Sequence, residues 1–273
     1  MKKLKVFLNV IGKEMAVSLA SFRFWGPMFA YLALLLLGSE PMILGSGAEQ
    51  DIANVISNAT SGGGSLFWLR FCLFVVPYGC CYYDEFAGSG TKYRLIRSSP
   101  GIYGTSKIVT GGLLTGALVL LANALFVVIL KLQGLPLMLE DDLNGVMQTS
   151  QLAADGHVVE LAVYLILVQC FAGIFFATLT IALSAFIRNK FLLLGMPVAL
   201  FFGLDSFSGL FFNNGYTQPD ITNWRILFFT LQVNGACDQE RFAVVRSGLY
   251  VLVAACIFCV IFVRRVREVA EIE

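Results

Sequence analysis

The chain has 273 residues with a formal net charge of +1; 58% of them are hydrophobic, only 14% are charged, and the mean hydropathy is +0.78. A soluble domain carries about 25% charged residues, so this chain lacks the charge to coat a globule in water. Its balance of 19 basic against 18 acidic residues also excludes an overall electrostatic grip on nucleic acid. What remains is an all-α polytopic membrane protein, read here as one transmembrane domain over 1–273.

The first element, about residues 3–20, precedes the membrane spans. Leu4, Phe7, Leu8, Ile11, Met15 and Leu19 recur at three- and four-residue steps, while Lys2, Lys5, Asn9 and Lys13 take the other side. The pattern predicts an interfacial helix whose lysines meet anionic head groups; an inward extension of the first span is the alternative. The interleaved lysines argue against a cleaved signal peptide.

A helix crossing a core of roughly 30 Å needs about 20 mostly apolar residues, and this predicts six spans. They fall at about 24–44, 66–83, 108–130, 161–186, 191–211 and 247–263. The third and fourth lie in charge-free stretches bounded by Lys107 and Lys131 and by Glu160 and Arg188. The second carries Arg70 in its outer part, and the fifth carries Asp205. A charge in hydrocarbon is costly, so each faces the bundle interior or a wet cavity, or lies near an interface. Both are candidates for a translocation path, and a pairing of Arg70 with Asp205 is one way to satisfy both.

Basic residues cluster at 1–23, 92–107, 188–190 and 264–267, whereas the first two outer loops, about 45–65 and 133–160, contain no Lys or Arg. The positive-inside rule then places both termini in the cytoplasm. The last outer loop holds the apolar run Ile226 to Val233, too short to span. It reads as a re-entrant segment before the last helix, with an outer plug or a misplaced part of the sixth span as alternatives.

Six of the seven cysteines fall within or at the ends of spans, where a thiol acts as a small apolar residue. The Cys256–Cys259 CxxC has no second pair, and His157 stands by itself in an acidic loop, so no metal site is predicted. Gly112 and Gly116 form a small-xxx-small pair suited to close helix approach, within one bundle or between subunits.

The most informative connection is DEFAGSGTKYRLIRSSPGIYGTSK, Asp84 to Lys107. It is longer than the roughly 2–8 residues usual between bundle helices. A short helix fits about 91–98, with Tyr93, Leu95 and Ile96 apolar and Lys92, Arg94 and Arg97 charged; Pro100 biases Ser99 away from helical angles and ends it. A nucleotide-binding GxxxxGK loop is absent, because Gly90 is followed by Thr91 rather than Lys. A solvated positive-inside loop is the alternative to a docking element.

Asp84-Glu85, Gly90-Thr91, the apolar-basic turn ending in Ser99-Pro100, and Ser106-Lys107 together resemble the intracellular loop of permease subunits in the type-two exporter family of ABC transporters. In that family an interfacial helix precedes six spans, and the loop after the second forms a coupling helix against a nucleotide-binding subunit. The resemblance implies that Asp84, Glu85, Thr91, Arg94, Leu95, Arg97, Ser99 and Pro100 couple this chain to such an ATPase. It implies further that ATP and Mg bind that partner while this chain binds no cofactor and is not itself an enzyme. A second permease copy or homologue completes the complex, membrane lipids surround it, and a bacterial plasma membrane is its setting. The implied activity is efflux of a peptide, antibiotic or other amphiphile. A membrane scaffold or sensor without transport is the alternative; an intramembrane enzyme lacks HExxH, GxSxG or clustered acids.

Overall fold

The structure, a computed structural model, describes residues 2–45, 51–52, 55–56, 59, 69–87, 99–137, 152, 155–212 and 237–272. All regular structure among them is helical. In chain order the elements are α1 (Lys2–Leu19), α2 (Phe22–Gly45), α3 (Leu69–Val75), α4 (Cys81–Ala87), α5 (Pro100–Leu132), α6 (Val158–Ser184), α7 (Lys190–Phe212) and α8 (Cys237–Ile272). Four stretches are long and apolar enough to cross a membrane: Phe22–Ser39, Pro100–Leu132, Val158–Ser184 and Val244–Val269. The chain thus has the makeup of a multi-pass membrane protein.

α1 is a helix in its own right, set off from α2 by Ala20 and Ser21. The Ser21 hydroxyl donates to the Ser18 carbonyl at 2.8 Å, and the Trp25 indole N–H donates to the Leu19 carbonyl at 2.7 Å. These bonds satisfy groups left free where one helix ends and the next begins. The expected apolar stripe is divided: Ile11 is buried, whereas Leu4 and Leu8 are exposed.

The residues expected to form a second span are interrupted. α3 ends at Val75, residues 76–80 form a turn, and α4 starts at Cys81. Pro77 has no N–H to continue the helical ladder. At Gly79 the N–H donates to the Val75 carbonyl at 2.7 Å, and a Cβ there would lie 2.3 Å from a Val75 methyl carbon, so the turn needs glycine. The Thr115 hydroxyl donates to the Phe74 carbonyl at 3.0 Å, bracing the break from α5.

α5 begins at Pro100, earlier than the charge-free stretch alone implies, and runs 33 residues, about 50 Å. Ser99 is its N-cap, extended at φ −63°, ψ 148°, and its hydroxyl accepts the Ile102 N–H. The bias that proline imposes on Ser99 therefore also prepares a helix start. α5 is the central element, packed against α6, α8, α2 and α1. Phe24, Tyr31, Phe71, Phe74, Phe126, Phe176 and Phe262 are buried in the shared core. Gly112 and Gly116 admit Ile174 of α6, so this small-residue pair serves packing within the chain.

α6 and α7 form a hairpin, with Asn189 capping α7 by accepting the Phe191 and Leu192 N–H groups at 3.0 and 3.3 Å. The 36 residues of α8 extend about 54 Å, beyond what a membrane crossing requires. Its start reaches α6, where Arg241 grips Glu160 through two bonds of 2.8 and 2.9 Å.

Candidate functional site: a buried ammonium and the cavity beside it

The early start of α5 places Lys107 two turns inside a helix rather than in a loop. Its side chain is 1% exposed. Glu14 of α1, 10% exposed, accepts from its Nζ at 2.7 Å, and Glu85 of α4, 17% exposed, accepts at 2.5 Å. The Tyr78 phenol oxygen takes the third bond at 3.0 Å. An ammonium has three N–H donors, and here each has a partner.

The phenols complete the cluster. Tyr78 donates its hydroxyl to Glu14, and Tyr103 donates to Glu85 at 2.7 Å. Lys107 also lies 5.2 and 5.5 Å from the Tyr78 and Tyr103 ring centroids, a range that favours cation–π attraction. The cluster joins α1, the turn between α3 and α4, α4 itself and α5. Tyr78 reaches it because the helix breaks at that turn.

Asp84, one residue before Glu85, accepts from Arg23 of α2 at 2.9 Å and from Lys190 of α7 at 2.8 Å. Two successive carboxylates therefore tie α4 to α2 and α7 on one side and to α5 and, through Lys107, to α1 on the other. Between these groups opens a cavity of about 770 Å³. Val6, Val10, Val17, Val76, Pro77 and Leu194 supply apolar wall, and Lys13, Arg23 and Lys190 supply cations. Ligand pockets commonly span about 300–1,000 Å³ and combine apolar walls with a few placed polar groups.

The sequence-predicted site residues separate into three groups. Asp84 and Glu85 come together as the centre of the network, and Ser99 and Pro100 open α5. Thr91, Arg94, Leu95 and Arg97, with the expected docking helix at 91–98, lie outside the described residues, as do the side chain of Asp205 and most of the expected re-entrant loop, 213–236. Arg70 is buried on α3 with its guanidinium 4.9 Å from the Phe71 ring, and it does not line the cavity. A pairing of Arg70 with Asp205 has no geometry among the described residues.

Sequence reasoning missed Glu14, Tyr78, Tyr103 and the burial of Lys107. Two signals were available. Glu14 is the first acidic residue of the chain, with no other until Glu40, so an acid on a lysine-bearing helix already called for a partner. Ser99-Pro100 is a helix-start signature that carries Lys107 into the helix interior.

Among the described residues no group of three or more His, Cys, Asp or Glu is arranged to hold a metal ion. The six described cysteines are free thiols, with Cys256 and Cys259 one turn apart on α8. No family model, no curated protein and no solved structure matches the chain.

Proposed function

We propose that the chain is the permease subunit of an ATP-driven ABC exporter, with six spans, cytoplasmic termini and a re-entrant segment before the last span. It works with a second permease, of its own kind or related, and the ATP is hydrolysed by a separate nucleotide-binding subunit. The single observation that carries this reading is the fixation of Asp84 and Glu85. The connection that resembles a coupling loop joins α4 to Ser99, and beside it the two acids are tied by side chains to α2, α5 and α7 and, through Lys107, to α1. A push on 88–98 therefore reaches α1, α2, α5 and α7 through charged contacts rather than through apolar packing alone.

Closure of an ATPase pair would supply that push and shift a two-state bundle between inward- and outward-open forms. Buried ion pairs suit such a link, because they hold one geometry strongly while contributing little net stability.

Purification from native membranes tests the reading. An ATPase subunit should accompany the chain, Arg97→Glu should release it, and Glu85→Gln should retain it while abolishing cargo-stimulated hydrolysis. A stable native complex without any ATPase overturns the exporter and favours a scaffold. Labelling of residues 91–99 by an impermeant reagent from outside the cell overturns the orientation.

A further inference from the structure

We propose that the cavity between α1, the α3–α4 turn and α7 holds an anionic phospholipid, with its phosphate at the rim among Lys13, Arg23 and Lys190 and an acyl chain along the valine wall.

The charge distribution fixes the headgroup. At the rim, Asp84 opposes both Arg23 and Lys190, and Lys13 adds a third cation, so the rim carries two positive charges in excess. At the base the sign reverses, because Lys107 faces two carboxylates, Glu14 and Glu85. An anion is thus drawn to the rim and repelled from the base. Lysine and arginine side chains at a membrane surface attract anionic lipid in this way.

The wall fixes the rest of the molecule. Val6 and Val17 are 41% and 73% exposed, on the helix that also presents Lys13. A soluble phosphate would leave these valines, Val76 and Leu194 uncovered, whereas an acyl chain covers them. Anion and hydrocarbon are thus required side by side, as in a lipid whose head lies at the interface and whose tail enters the bundle.

The test uses the full-length chain purified in mild detergent, with lipid retention read by native mass spectrometry. The probes are phosphatidylglycerol and phosphatidylcholine with identical chains. The parent should retain phosphatidylglycerol preferentially, and the double variant K13Q/K190Q should bind it about tenfold more weakly or worse. V10W, which fills the cavity without altering charge, should also lose it. K131Q, exposed at the far end of α5 and not lining the cavity, should bind as the parent does. Lys13 is exposed, so K13Q alone preserves the fold and should show a smaller loss in the same direction. Equal retention of both lipids, an equal loss in K131Q, or full retention in V10W overturns the site. The proposal needs only membrane insertion, so retention is measured without an ATPase, and its failure is separable from failure of the exporter reading.

Discussion

α5 is held by opposite means along its length. Near its start, Lys107 is surrounded by two carboxylates and one phenol from three other segments, with the phenol of Tyr103 on α5 itself beside them. Further along, small residues take over: Gly112 and Gly116 receive Ile174, and Thr115 and Val119 close on Gly173 of α6. Lipid tails are as apolar as leucine, so the glycine seam holds by close packing and has one good fit. The charged cluster is governed instead by partner exchange, since each charge must be matched wherever it goes. In the proposed exporter, the seam serves as the fixed packing contact and the cluster as the link that a push at α4 reaches first.

Substitutions in the two regions should therefore differ in cost and in how they are rescued. The largest effect belongs to Lys107→Met, which leaves the largely buried Glu14 and Glu85 without the cation they share. A loss of about 3–5 kcal/mol is expected, read as a large drop in melting temperature of the purified protein. Adding Glu14→Gln and Glu85→Gln should recover much of it, because the unmatched charges are then gone. A single variant that melts like the parent would show that Lys107 is not a clamp.

Next in size is Gly173→Leu in the seam. A Cβ at that position lies 3.0 Å from the Thr115 methyl carbon and 3.2 Å from a Val119 methyl carbon, and β-branched side chains yield little. Overpacking should cost about 1–3 kcal/mol. Gly112→Ala, with a nearest contact of 3.4 Å, should be tolerated. If both behave alike in thermal melts, the seam is not close-packed.

Thr115→Val removes the hydroxyl that bonds the Phe74 carbonyl. A cost of about 0.6 kcal/mol, and under 2, fits side-chain hydrogen bonds between membrane helices. Because the hydroxyl braces the α3–α4 break, faster amide exchange near residues 74–80 should accompany its loss. The smallest effect belongs to the other end of the bundle. Arg241→Gln breaks an exposed ion pair with Glu160, and melting at physiological salt should be unchanged within error.

The relation between sequence and structure differs from element to element. Helices α5 and α6 stand out as long charge-free stretches, and the pair Gly112 and Gly116 marks a close approach, because composition and spacing are local properties. Asp84 and Glu85 are visible as an acidic pair for the same reason. The break at residues 76–80 is harder to see: Pro77 and Gly79 are both present, yet the apolar run across them masks the interruption. Lys107 is read most naturally as a cytoplasmic flanking charge. Whether a lysine at a helix end snorkels to water or turns inward depends on carboxylates that arrive from 93 and 22 residues away.

Sequence alone determined that this chain is helical and built for a membrane, because hydrocarbon admits only segments that satisfy their own backbone and carry few charges. It also carries the Ser99-Pro100 start signature of α5, although the charge pattern points to a start near 108. That Glu14, Tyr78, Glu85, Tyr103 and Lys107 form one cluster beside a cavity follows from the folded chain. A charge buried in a bundle is acceptable only when opposite charges converge on it, and that convergence is a property of packing, not of any one segment.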